Sequence, residues 1–239
     1  KPFELLASEA EKTLSFAEEK GIQVFANSPR MVPTGEMRRI REMIRDYDLG
    51  RPVAYYGSTW CSYREKPDGT WYDDPSLCPV APVFRLGIYL INDLSQIFCG
   101  VDDVSVSESR IFTGRPTADN ASLTIRHKDG SIGTIFASFC IDDLDYYKCS
   151  YILHFERGSI YKGVLPDERR DEVSLQLSCK YKGEHVMLDE RIPVSESGYQ
   201  WKEFRDAIDG HRSPDCIGSE TIVSAIRILE KMKECAQIR

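Results

Sequence analysis

Three pairs of short apolar runs in the second half of the chain, each pair joined through a glycine, constrain its fold more than any other feature. "ASLTIRH" and "SIGTIFASF" flank Asp129-Gly130, "YILHF" and "SIYKG" flank Arg157-Gly158, and "EVSLQLSCKY" and "EHVMLDE" are joined through Lys182-Gly183. Tight hairpin turns need backbone with positive φ, which glycine adopts at no steric cost, so each pair predicts a β-hairpin. In "EVSLQLSCK", Val173, Leu175, Leu177 and Cys179 alternate with Ser174, Gln176, Ser178 and Lys180. Successive side chains of a strand point to opposite faces, so this sheet has one apolar face and one polar face. The reading is an antiparallel meander covered on one side.

The first part of the chain has a different period. In residues 4–20, Leu6, Ala10, Leu14 and Ala17 fall on one helical stripe, and Gly21 ends it. Ile22 to Ala26 then reads as a short apolar strand, stopped by Asn27, Ser28 and Pro29. A helix running into a buried strand is half of an α/β crossover unit, and it needs neighbouring strands that this chain does not offer. A second helix is predicted over about Gly35 to Tyr47, then a strand over residues 51–60 and a long loop over 61–80 rich in Pro, Asp, Gly and Cys. Two helices close the chain. Ser197 and Gln200 read as a capping-box pair before Trp201, Phe204 and Ile208, and Ile222, Ala225, Ile226, Leu229 and Met232 form the buried stripe of the last helix. The fold class is therefore α+β: a large, mostly antiparallel sheet with helices on one face, preceded by a helix-strand remnant.

Bulk properties narrow the function. The 239 residues are ample for a buried core, and 41% hydrophobic with 29% charged residues is a globular profile. A formal charge of −7 disfavours nucleic acid, whose phosphates call for a basic face. Arg38, Arg39 and Arg41 are interleaved with Glu36 and Glu42 and read as a solvated helix face. The longest apolar stretch, Val80 to Leu94, is broken by Arg85, Asn92 and Asp93 and is too short to cross a bilayer. Eight scattered cysteines without CxxC spacing predict no metal site and a reducing, cytoplasmic setting. The chain begins Lys1-Pro2 and its first methionine is Met31, which leads us to expect a lost N-terminal portion.

Few residues suggest chemistry. No P-loop and no GxSxG occur, and no two of the 16 glycines are spaced GxG, so the chain carries no phosphate cradle. The four histidines read as ordinary surface or strand residues, and Asp73-Asp74, Asp102-Asp103 and Asp142-Asp143 as solvated turn residues. "APVFRLGIYLIND" (81–93) differs. On a regular helix, Arg85, Tyr89 and Asn92 would share one face, a cation, a phenol and an amide on an otherwise apolar element. Gly87 costs such a helix roughly 1 kcal/mol against alanine, which implies close approach of another backbone or a ligand. We read the stripe as facing a pocket.

At this point the sequence resembles the Gfo/Idh/MocA oxidoreductases, named for glucose-fructose oxidoreductase and inositol dehydrogenase. "KPF" resembles the end of that family's Glu-Lys-Pro motif, "NSPRMVP" its interdomain segment and "DLGRPV" the turn into its first sheet strand. "APVFRLGIYLIND" resembles its Asp-x-Gly-x-His/Tyr-x-x-Asp/Asn helix, and "HRSPDCIGSETIVSAIRILEKM" its closing segment. The resemblance implies that residues 1–28 end a dinucleotide-binding Rossmann domain and that 29–239 form the α+β substrate-binding and oligomerisation domain. It implies NAD or NADP as cofactor, a sugar, cyclitol or related polyol as substrate, and a homo-oligomer formed through the open sheet face. Lys1 and Tyr89 inherit catalytic roles, Lys1 and Pro2 lie at the cofactor, and Arg30, Arg85 and Asn92 line the substrate. Arg85 stands where the family has aspartate; a cation there would favour the phenolate of Tyr89, whose unperturbed pKa is near ~10, and an anionic substrate. The same reversal supports the alternative of a non-catalytic family member acting as a ligand-binding regulatory or assembly protein.

Overall fold

The computed structural model describes residues 1–63, 65–98, 100–143, 147–163, 172–193 and 200–237. Eight strands form one open sheet: β1 (Pro52–Trp60), β2 (Val101–Ser109), β3 (Asn120–His127), β4 (Ile132–Ser138), β5 (Lys148–Phe155), β6 (Gly158–Gly163), β7 (Glu172–Tyr181) and β8 (Glu184–Pro193). Their order is β2-β3-β4-β1-β5-β6-β7-β8. The expected hairpins β3–β4, β5–β6 and β7–β8 are present, and Gly130 and Gly183 adopt positive φ in their turns. β1 is inserted between β4 and β5. It runs parallel to β4 and antiparallel to β5, with Tyr55 opposite Gly133 on one side and Leu153 on the other. A side chain at position 133 would collide with the Tyr55 ring, 1.9 Å from its Cζ, so glycine seats the ring against the sheet.

Helices cover one face: α1 (Ala7–Glu19), α2 (Gly35–Asp46), α3 (Ile88–Leu94), α4 (Trp201–Ile208) and α5 (Ser219–Gln237). The main core lies between the inward rows of the sheet (Leu123, Ile135, Leu153, Ile160, Leu177) and Leu86, Leu90, Ile91, Leu229 and Met232 of the helical layer. A second apolar cluster joins Ala10 and Leu14 of α1 to Ile222, Val223 and Ile226 of α5. Among the described residues, no helix is long and apolar enough to cross a membrane. The described cysteines are all free thiols.

Four expectations need correction. Ile22 to Ala26 forms no strand among the described residues; Ile22 is 56% exposed, and α1 packs on α5. Asp102 and Asp103 lie in β2, at an irregularity in its pairing with β3, where both approach Arg126. Glu36 is not solvated: it is 7% exposed and its carboxylate meets Lys162. Gln200 does not cap α4. Its amide accepts from the backbone N–H of Val32 and donates to the Val32 carbonyl, tying the start of α4 to the segment after residue 28. Its expected partner Ser197 lies outside the described residues.

Candidate functional site

The stretch 81–93 is not one regular helix. Val80, at φ +48° and 3% exposed, offers its carbonyl to the N–H groups of Val83 and Phe84 and so starts the helical course. Val83–Gly87 then form a π-helical turn, in which the N–H of Ile88 bonds the carbonyl of Val83, before α3 begins. Gly87 allows this turn to sit close: a Cβ there would come within 3.0 Å of Val83 Cγ1 and 3.6 Å of Ile135 Cγ2 in β4. Gly87 thus lets the turn pack closely against the side chains of Val83 and Ile135.

The wider turn has a chemical consequence, because it breaks the i,i+4 spacing that would align Arg85 with Tyr89. Arg85 turns to Glu65 in the 61–80 loop and makes two parallel hydrogen bonds of 2.7 Å each. Its guanidinium lies 3.8 Å from the Tyr72 ring centroid, 4.8 Å from Phe139 and 5.1 Å from Tyr63. A second guanidinium extends the network: Arg115, 4% exposed at its side chain, reaches Asp73 at 2.5 Å, Asp68 at 3.3 Å and Glu65 at 3.6 Å. The Thr70 hydroxyl and amide, and then Arg115, hold Asp68 down at about 2. The sequence reading of Arg85 as a cation sharing a stripe with Tyr89 is therefore corrected. Its charge is taken up by Glu65, and its plane by three aromatic rings that pin the 61–80 loop to the helix.

Tyr89, 40% exposed, does meet a cation: the Lys1 ammonium lies 4.7 Å from its ring centroid. Tyr147 packs edge-on against it at 5.5 Å, just before β5. Asn92 is buried one turn on, and its amide donates to the Ser28 hydroxyl at 3.1 Å, which fastens α3 to the segment before residue 30. Pro2 and Arg30 are half-buried. The structure thus brings Lys1 and Tyr89 together, ties Asn92 to Ser28 one turn on, and pairs Arg85 with Glu65.

Beneath this surface is a polar cluster that sequence reasoning missed. Lys162 of β6 is 8% exposed, with its ammonium 3.3 Å from Glu36 Oε1 of α2 and 5.1 Å from the Tyr151 ring. Burial works against the Lys162 charge, yet Tyr151, Cys149, Glu36 and Asp93 together hold its pKa above the ordinary lysine value. Burial, reinforced by Glu36 and opposed by Lys162 and Arg30, pushes Asp93 up to about 6. Glu36 Oε2 and the Tyr151 hydroxyl are buried without a hydrogen-bond partner among the described residues. A perturbed carboxylate, Asp93, beside an enclosed lysine is the pattern that functional sites concentrate. A signal for Lys162 was present in the sequence: two residues after Ile160 on a strand, it must share the inward face.

Among the described residues, no group of His, Cys, Asp or Glu is arranged to hold a metal ion. No glycine-rich phosphate cradle occurs in the sequence.

Comparison with solved structures places the fold among oxidoreductases. The chain superposes on an NAD-binding oxidoreductase from Klebsiella pneumoniae with a TM-score of 0.71 at 16% identity, covering 99% of this chain and 70% of that one. A levoglucosan dehydrogenase in complex with NADH and L-sorbose gives 0.72 at 16% identity, covering 100% and 70%. An oxidoreductase from Agrobacterium radiobacter in complex with NAD+, L-tartaric acid and magnesium gives 0.67 at 14%, covering 99% and 69%. At these identities the likeness establishes the fold. No curated protein matches the chain by sequence. The model of the GFO/IDH/MocA C-terminal domain matches residues 37–161, more than half of the chain and including β1, the π turn, α3, β2 through β5 and the first part of β6, and on that match the chain belongs to the GFO/IDH/MocA family.

Proposed function

We propose that this chain is the substrate-binding and oligomerisation part of an NAD(P)-dependent oxidoreductase acting on a secondary alcohol of a sugar, cyclitol or related polyol. The observation that carries this reading is the Lys1 ammonium lying over the exposed ring of Tyr89. The NADH, NAD+ and sugar or hydroxy-acid complexes of the structural neighbours support it. Oxidising such an alcohol breaks one C–H and one O–H bond. A bound nicotinamide would supply the acceptor for the hydride and its electron pair. The hydroxyl proton needs a separate destination, and Tyr89, entering the step as the phenolate, takes it at its oxygen and becomes the phenol. Lys1 keeps a positive charge over the Tyr89 ring as the proton moves. Asn92, fixed by Ser28, holds the turn that presents Tyr89, and Arg30 and Asp93 make the polar wall behind it. With Arg85 engaged by Glu65, selection for an anionic substrate does not rest on that residue.

On this reading Tyr89→Phe lowers kcat/KM by about 10²- to 10⁴-fold, the span that general acid–base groups contribute, and leaves NADH affinity of the full-length protein unchanged. Turnover equal to that of the parent would refute the role of Tyr89. We also assign the open sheet face, where Tyr56, Ile132, Phe136 and Tyr161 are exposed, to contact between copies of the chain; Tyr56→Glu should then reduce the molecular mass seen in solution.

A further inference from the structure

Around the helical segment 83–94 the tyrosine rings are taken up by cations. Arg85 lies over Tyr63 and Tyr72, Lys1 over Tyr89 and Lys162 over Tyr151. Tyr147 differs. Among the described residues no cation lies over its ring, which meets the ring of Tyr89 at 5.5 Å and 71°.

Two features decide what this ring can offer. The first is the place of its hydroxyl. Tyr147 stands two residues before Cys149, whose partner across the sheet is Thr59 of β1, and Thr59 is wholly buried. Burial, and then Cys149, hold the Tyr147 phenol well above the ordinary tyrosine value, with Thr59 working the other way. An oxygen packed inward in this manner leaves the ring, and not the hydroxyl, to meet a ligand. The second feature is exposure. Tyr147 is 36% exposed, so the surface it shows beside Tyr89 is aromatic carbon. Small-molecule sites are lined chiefly by apolar and aromatic surface, with a few polar groups that fix orientation. Lys1 and Tyr89 are such polar groups, and Tyr147 is the apolar wall next to them, turned nearly at a right angle to the Tyr89 ring.

That pair of walls suits one shape of substrate. In a cyclic polyol the equatorial hydroxyls point outward along the rim and the axial C–H bonds gather on the two faces, which makes each face apolar and nearly flat. The negative face of an aromatic ring attracts such hydrogens. An open-chain polyol has no fixed face, because rotation about each C–C bond brings hydroxyls to every side.

We propose that Tyr147 is a specificity-determining residue of the Tyr89 site, a platform on which the C–H face of a cyclic sugar or cyclitol stacks while a hydroxyl on its rim meets Tyr89. The inference rests on the oxidoreductase reading of that site and adds to it a preference for ring over open-chain substrates.

The test uses the full-length protein, with myo-inositol and glucose as rings and sorbitol as the open chain. Calorimetric titration in the presence of NADH gives affinity, and reduction of NAD+ or NADP+ gives turnover. At least one ring should bind about tenfold more tightly than sorbitol. Tyr147→Leu, which fills the inner space but has no flat face, should bring that ratio to within about twofold, through KM with kcat little changed, and Tyr147→Phe should keep it. Each ratio is taken within one variant, so loss of folded protein does not move it. The proposal is overturned if sorbitol binds as tightly as both rings, if the ratio survives Tyr147→Leu, or if Tyr147→Phe loses it as well, which would assign the role to the hydroxyl. Ring-selective binding that disappears in Tyr147→Leu, with no reduction of either cofactor, would uphold the platform and refute the oxidoreductase reading. Turnover whose ring preference is unchanged in Tyr147→Leu would do the reverse.

Discussion

Two charged clusters flank the helical segment 83–94, and they are built to opposite standards. Around Arg85 the guanidinium is well satisfied: two short parallel hydrogen bonds to Glu65, three aromatic rings about its plane, and Arg115 behind with Asp73 at 2.5 Å, although Arg115 Nε has no hydrogen-bond partner among the described residues. Around Lys162 the ammonium lies 3.3 Å from Glu36, and Glu36 Oε2 and the Tyr151 hydroxyl have no hydrogen-bond partner among the described residues. A largely satisfied network fixes geometry, whereas a less satisfied one stores unmet hydrogen-bonding capacity in a low-dielectric site. The first cluster holds the 61–80 loop in place. The second is the one able to respond to substrate or to protons.

That contrast can be broken by experiment. Lys162→Met should have the largest effect, because it leaves Glu36 and Asp93 buried without their nearest ammonium; a loss of about 3–5 kcal/mol in urea unfolding is expected. Arg85→Met should cost less, about 2–3 kcal/mol, since Glu65 is partly exposed and can turn to water or to Arg115. The double variant Arg85→Met/Glu65→Met should recover most of that loss, as apolar replacement of a whole pair often does. If it recovers nothing, the pair is more than an anchor and the contrast fails.

The smallest effect depends on pH. Asp93 has its folded pKa raised from the ordinary 3.8 to about 6, so the native state binds the proton more tightly than the unfolded state. The stability gained in this way is fully present below about pH 4 and is lost as pH rises through about 6. Asp93→Asn, which cannot ionise, should match the parent near pH 4 and exceed it by about 1–3 kcal/mol at pH 8. Unfolding curves that differ equally at both pH values would remove Asp93 from the responsive cluster.

The hairpins were legible because their signals are local: alternation in Glu172–Tyr181 and glycine with positive φ at 130 and 183 need no knowledge of distant chain. The place of β1 was not, since nothing within Pro52–Trp60 says that it will lie beside Ile132–Ser138. The stretch 81–93 was legible as a special helix, with Tyr89 and Asn92 as its polar residues. Its π turn was not, because one widened turn leaves no mark in residue type yet sends Arg85 to a different partner. Lys162 was missed for the reverse reason: alternation does place it inside, and its charge argued for the outside until Glu36, far away in sequence, supplied the counter-ion.

The position of β1 also bears on how the chain acquires its fold. The centre of the sheet joins Ala54 to Ile132 and Tyr55 to Leu153, contacts between segments far apart along the polypeptide, while the hairpins on either side need only their own turns. Chains dominated by such long loop closures fold slowly, because the entropy of closing the loop is lost before the contact rewards it. During synthesis β1 emerges early and must wait, with Tyr55 uncovered, until Gly133 has been made. The last part of this sheet to form is therefore its middle, and substitutions at Tyr55 or Gly133 should act mainly by speeding unfolding, whereas equal losses of stability at the β7–β8 hairpin should slow folding more.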